Sequence, residues 1–183
     1  MEHLGKERSN RFDDFSEYFR SYIQRVSCDN PLEALTLQLD ELEALLGNLS
    51  DEQAGFRYAE GKWSIKEMMV HISDTERIMT YRALRAARND STLLPSFDEN
   101  AFAAESFADE RPFSEILNEW RLVRLSAISF FESLNELQWM RIGRFSGSEL
   151  SVEGIAFLIA GHFIHHVEVL SVRYNAVIIK PES

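Results

Sequence analysis

Apolar residues recur every three or four positions along four stretches of this chain, and each stretch opens near a helix-start signal. In the first, Asn30-Pro31-Leu32-Glu33 supplies an N-cap amide, a proline at the first helical position and a glutamate placed for a capping box. Leu32, Leu35, Leu39, Leu42, Leu45, Leu46 and Leu49 then form one apolar face, and Gly47-Asn48 predicts its end. A second capping box, Ser64-Ile65-Lys66-Glu67, follows a turn-like Glu60-Gly61-Lys62-Trp63 and opens a helix expected to reach about Asn89. Met68, His71, Ile72, Thr75 and Ile78 share one broad side of it. The third stretch starts around Pro112-Phe113-Ser114 and carries Ile116, Leu117, Trp120, Val123, Leu125, Ile128 and Phe131 to about Leu134. The fourth runs from Ser151 through His166 to about Tyr174.

No segment alternates like a sustained strand, so the pattern predicts an all-α chain whose four long helices form a bundle. Residues 90–111 are too many for a tight antiparallel turn. Pro95 and Asp98-Glu99-Asn100 predict a loop and a short helical piece, a long crossover that leaves helices 2 and 3 free to be parallel neighbours or diagonal partners. Residues 141–150 are turn-rich and have room for a short hairpin-like excursion. Ahead of the bundle, Phe12, Phe15, Tyr18, Phe19, Tyr22 and Ile23 predict an extra N-terminal helical segment lying across its side. The expected organisation is a flexible 1–11, a single domain over 12–176 and a C-terminal tail over 177–183.

Length and composition agree with one domain: 183 residues, 45% hydrophobic and 27% charged, with no low-complexity tract or repeat. A formal net charge of −11 without a basic stripe repels phosphate backbones, so no nucleic-acid partner is expected. No uninterrupted apolar run approaches the ~20 residues of a bilayer span, and the first residues do not read as a secretory signal. A single cysteine, Cys28, excludes an intrachain disulfide. These features predict a cytoplasmic protein with no membrane association.

The candidate chemistry lies in Gly161-His162-Phe163-Ile164-His165-His166, which holds three of the five histidines inside an apolar helix. Imidazole fills a core poorly and is the commonest protein ligand for zinc, nickel and copper. At about 100° per residue, His166 lies only about 40° around the helix from His162 and one turn along, whereas His165 falls on the opposite flank. His71 lies toward the apolar side of the second helix, so His71, His162 and His166 are candidate metal ligands. Three neutral imidazoles would leave an open coordination position, the arrangement of a reactive site. Spacing alone leaves open the alternative of three partly buried histidines hydrogen-bonded to backbone or carboxylates. Asp74, offset by three residues from His71, is a candidate catalytic or ligand-orienting carboxylate, or the partner of Arg77 or Arg121 in a salt bridge. Arg82, three turns beyond His71 in the same sector, is a candidate binding residue for an anionic substrate, or a member of a structural ion pair.

Three segments carry a wider resemblance: Trp63-Ser64-Ile65-Lys66-Glu67, then Val70-His71-Ile72-Ser73-Asp74-Thr75-Glu76-Arg77, then Tyr81-Arg82-Ala83-Leu84-Arg85. With Ala160-Gly161-His162-Phe163-Ile164-His165-His166 and the closing Arg173-Tyr174, they closely resemble the DinB-like (YfiT-related) family of metal-binding four-helix bundles. The similarity extends from about Phe12 to Tyr174 in the expected order. It implies one divalent metal ion per chain, zinc or nickel, held by the residues matching His71, His162 and His166. The chain departs from the family at Phe163, where an acidic or polar residue is common.

The resemblance also implies a function. Similar proteins include thiol-dependent transferases and isomerases. The expected activity is therefore that of a metal-dependent transferase or hydrolase: thiol-dependent transfer to a small electrophile, or metal-assisted hydrolysis. Its partners would be a small-molecule substrate and a low-molecular-weight thiol. The alternatives are a non-enzymatic metal-binding or stress-response module, and a helical interaction protein with an unused site. Related bundles often dimerise, which makes a homodimer the expected assembly.

Overall fold

The computed structural model describes residues 12, 15–145 and 147–178. Four long helices dominate: α2 (Pro31–Leu46), α4 (Ile65–Ala87), α6 (Phe113–Glu132) and α8 (Val152–Arg173). Between them lie short helices, α1 (Glu17–Ile23), α3 (Asp51–Ala54), α5 (Glu99–Glu105), α7 (Glu136–Trp139) and α9 (Asn175–Ile178), and a 3₁₀ turn at Ala108–Glu110. Three of the four expected starts carry their own side-chain caps, but Glu33 completes no box at the first, and Asp51 of α3 accepts from the Phe113 N–H at the start of α6. The Asn30 side chain accepts from the Leu32 N–H, Ser64 and Glu67 complete a reciprocal capping box, and Ser151 accepts from the Gly154 N–H.

Of the two arrangements open for helices 2 and 3, the chain adopts the parallel one. Near the start of both helices the Lys66 ammonium donates to the Arg111 carbonyl, and farther along both Arg124 meets Glu76. Helix α8 runs the other way beside α4: the Tyr174 hydroxyl donates to the Trp63 carbonyl at one end, and the histidines of the two helices meet farther in. Helix α2 packs on α6 and α8, which leaves the chain-consecutive pairs α2/α4 and α6/α8 on the diagonals.

Short elements flank α8 on both sides. Residues 141–150 fold as an antiparallel hairpin, β1 (Ile142–Phe145) on β2 (Ser148–Ser151), with Gly143 opposite Leu150. Four-residue strands are too short to show alternation, and Gly147, at φ 75°, supplies the left-handed turn position that only glycine takes readily. At the C-terminus a short helix spans the boundary expected near 176. Helix α9 continues to Ile178, and Val177 and Ile178 are half-buried against the bundle. The expected flexible 1–11 lies outside the described residues.

Among the described residues the N-terminal aromatic segment is helical over α1, and it follows α8 in parallel. Phe12 packs edge-on against Phe157, Phe19 against Phe145, and Arg25 pairs with Glu168. Gly161 permits the closest approach: a Cβ there would stand 2.0 Å from the Tyr22 carbonyl oxygen. Gly161→Ala is therefore expected to push α1 off the bundle and destabilise the chain by about 1–3 kcal/mol, as overpacking does elsewhere. An unchanged urea midpoint would show that α1 is not seated there.

Helix α8 is long and apolar enough to cross a membrane by length and composition, but most of its apolar window is buried inside this fold. Its apolar sides serve two core clusters, one around Leu35, Met79, Phe131 and Phe157 and the other around Leu42, Met69, Trp120 and Phe163. Between these clusters the four helices contribute Gln38, Glu76, Arg124, His71, His162 and His166, all buried. A polar layer thus crosses the middle of an apolar bundle.

Candidate metal centre

Within that layer three imidazoles converge. His71 Nε2 lies 3.2 Å from His162 Nε2, and His166 Nε2 lies 3.1 Å from the same atom. All three donor atoms fall within 4.8 Å of one another, and all three residues are buried. Helical phase produces this: His162 and His166 are one turn apart on the inward side of α8, and α4 presents His71 across from them.

The arrangement fits a cation better than it fits hydrogen bonding. An imidazole Nε2 has one in-plane site, either an N–H or a lone pair. His162 therefore cannot make a two-centre hydrogen bond to both neighbours, whereas one cation can accept all three lone pairs. Tetrahedral zinc with bonds of 2.0–2.1 Å requires donor separations of about 3.3–3.4 Å, close to the 3.2 and 3.1 Å of the two pairs that share His162. Burial also keeps the rings neutral. It lowers His71 to about 4 and His166 to about 2, and it holds His162 well below the usual range, with repulsion from neighbouring imidazoles adding to each. Neutral imidazole is the form that ligates. His165, half-buried, places its ring 4.9 Å from that of His166 but supplies no atom to the cluster, in keeping with its opposite flank on the helix.

The triad forms part of the wall of a cavity of about 540 Å³. Trp63 packs against His71 with ring centroids 4.8 Å apart, and Tyr22 lies 5.5 Å from His162 and 5.4 Å from His165. Along α4 the wall continues through Ile72, Thr75, Glu76 and Met79. The crossover adds Ser96, Phe97 and Glu99, and the hairpin adds Ser148.

The structure does not bring Asp74 or Arg82 to this wall. The Asp74 carboxylate accepts from Arg77 at 3.1 Å, on the side where Arg77 and Arg111 both pair with Glu119 of α6. Burial raises its pKa, and Arg77 opposes the rise. Of the roles weighed for Asp74, the observed contact is the salt bridge. Arg82 donates to the Pro95 carbonyl at 2.7 Å, and its guanidinium lies 4.5 Å over the Phe145 ring. It ties the crossover to the hairpin, and no carboxylate pairs with it among the described residues. Neither the expected orienting carboxylate nor the ion pair of Arg82 is present in these contacts. The His166 Nδ1 is likewise buried without a partner.

Sequence reasoning missed the network that defines the layer. Arg124 is completely buried and grips Glu76 with two bonds, Nε to Oε1 at 2.8 Å and Nη2 to Oε2 at 3.0 Å. Its Nη1 donates to Gln38 Oε1 at 2.6 Å and to the Leu35 carbonyl at 3.1 Å, and Gln38 donates onward to the Ala160 carbonyl at 3.0 Å. One signal was available: Arg124 lies four residues from both Trp120 and Ile128, a cation inside an apolar stripe. Phe163, the departure noted above, stacks on Trp120 at 5.4 Å and lies 5.2 Å from the Arg124 guanidinium. An apolar ring there is consistent with a packing role.

Comparison with known proteins places this geometry in context. The chain is 24% identical over 141 residues to a protein of Oceanobacillus iheyensis named "Putative metal-dependent hydrolase", which covers 74% of this chain and 79% of that one. A Geobacillus thermodenitrificans protein of the same name is 23% identical over 137 residues, 73% of this chain and 77% of that one. Among solved structures, YfiT from Bacillus subtilis, described as a probable metal-dependent hydrolase with an unusual four-helix bundle topology, superposes with a TM-score of 0.68. It is 18% identical, over 79% of this chain and 86% of that one. The mycothiol-dependent maleylpyruvate isomerase gives a TM-score of 0.64 at 13% identity, over 78% of this chain and 60% of that one. Residues 34–170, which include all three clustered histidines and every long helix but the first three residues of α2 and the last three of α8, match the DinB superfamily, and the chain belongs to it.

Proposed function

We propose that this protein is a divalent-metal enzyme in which His71, His162 and His166 hold the ion and the adjoining cavity holds a small electrophilic substrate. The observation that carries the reading is the convergence of three neutral imidazole nitrogens on the wall of a cavity large enough for a small organic molecule. When bound there, a zinc or nickel ion would polarise an electrophile and lower the pKa of a coordinating thiol or water. The chain's own residues do the rest. Three neutral donors leave the ion its full charge and part of its coordination sphere. Trp63, Tyr22 and Phe97 limit water around the reacting groups.

Hydrolysis and thiol transfer both fit such a site. The names of the two bacterial relatives support hydrolysis, and the mycothiol dependence of the structural neighbour supports a low-molecular-weight thiol as co-substrate. A passive metal-binding module is the second reading, favoured by the displacement of Asp74 from the cavity and the lack of an orienting partner on His166 Nδ1. We further propose a cytoplasmic location and a homodimer.

The test is a turnover screen of the zinc- and nickel-loaded chain with small thiols plus electrophilic acceptors, and with activated esters and amides. The expected result is turnover that chelation removes and metal restores. Full metal occupancy with no turnover across the panel would leave the passive module.

A further inference from the structure

The cavity wall has a chemical bias that the triad does not explain. Among the described residues it contains no lysine or arginine, while Glu76 and Glu99 contribute carboxylates. Glu99 is exposed on the crossover, but Glu76 is buried in the polar layer. Arg124 satisfies each Glu76 oxygen once, and a carboxylate has about four acceptor sites, so acceptor capacity remains. Arg124 cannot swing away to expose more, because Gln38 and the Leu35 carbonyl hold its other nitrogen. One residue before Glu76, the Thr75 hydroxyl is buried in the same wall and has no partner.

We propose that Glu76, with Thr75 beside it, is a substrate-binding residue that accepts a hydrogen bond from an N–H group of the ligand, so that the cavity takes an N–H-bearing small molecule, cationic or neutral, and discriminates against anions. This rests on the reading of the cavity as the substrate chamber and names the class of molecule it admits. Glu76 lies five residues beyond His71 on α4, about 7.5 Å along the helix axis. Five residues also turn Glu76 about 140° around the helix from His71, but both line the same cavity, so one ligand can span them. Tyr22, Phe97 and Met79 in that wall suit an apolar or aromatic body.

Three probes sharing one phenyl ring test the proposal: benzamidine (cationic, N–H), benzamide (neutral, N–H) and benzenesulfonate (anionic, no N–H). None is a strong ligand for the ion. Affinities are measured by titration on the purified full-length chain with zinc, together with nuclear Overhauser contacts from ring protons to the Thr75 and Met79 methyl groups. Both N–H probes should bind at least about tenfold more tightly than benzenesulfonate, the scale of one hydrogen bond to a charged group. Their ring protons should contact those two methyls. The double variant Glu76→Gln/Arg124→Met removes both buried charges together and should erase most of the preference, whereas Glu99→Gln should leave most of it. Equal or tighter binding of benzenesulfonate to the unaltered chain would overturn the proposal, even if the double variant does not fold. So would a preference that survives in a folded double variant, or one lost in Glu99→Gln. A chain that takes up no zinc but keeps the probe preference would defeat the enzymatic reading and leave this one standing.

Discussion

Replacing His71 and His162 by alanine together is expected to reduce bound zinc or nickel from about one ion per chain to near none, since two of three donors are gone and no carboxylate belongs to the cluster. The effect separates from folding. Added metal should raise the thermal midpoint of the unaltered chain, by about 4 kcal/mol of linkage at a thousandfold excess over its dissociation constant. It should not raise that of the variant. Without metal the variant should be nearly as stable as the parent, because the substitutions remove buried imidazoles that cannot all be hydrogen-bonded to one another. Elemental analysis and thermal scans with and without metal decide the matter. Unchanged stoichiometry in the folded variant would place the ion elsewhere.

Arg124→Ala should have the largest effect on stability. It strips the buried Glu76 carboxylate of both its bonds and leaves Gln38 Oε1 without its donor. Breaking a buried ion pair on one side costs about 3–5 kcal/mol, because the remaining charge stays buried and uncompensated. Glu76→Gln/Arg124→Met should recover most of that loss, as apolar or neutral replacements of buried pairs commonly do. Urea unfolding of the three proteins measures it. A single variant within about 1 kcal/mol of the parent would mean that cavity water takes over the bonds of the lost guanidinium.

The sequence made the histidine cluster legible because its information is helical phase. His162 and His166 are one turn apart on a helix that is apolar nearly all round, and rotation alone separates them from His165. Phase proved weaker for Asp74 and Arg82. It states a direction from the helix axis but not which neighbour stands there or how far the cavity extends. Asp74, a short rotation from His71, faces α6 and its arginine network instead of α8. Arg82 keeps the sector of His71, yet eleven residues carry it about 16 Å along the axis, where Phe145 and Pro95 have replaced the cavity. The parallel pairing of α4 with α6 was beyond the pattern as well, since a long connection permits either arrangement. The Arg124–Glu76–Gln38 network joins residues up to 86 positions apart, so no local rule shows it, and only the misfit of one cation among apolar neighbours betrays it.

The crossover between α4 and α6 follows from their shared direction, and it has a consequence for how this architecture diversifies. The imidazoles stand on two rigid helices, while Phe97 and Glu99 in the same wall come from a surface connection whose length the bundle does not dictate. Insertions or deletions there can reshape what is admitted without disturbing the donor atoms. The donor atoms and this part of the cavity wall are thus carried on separate stretches of the polypeptide, free to change at different evolutionary rates.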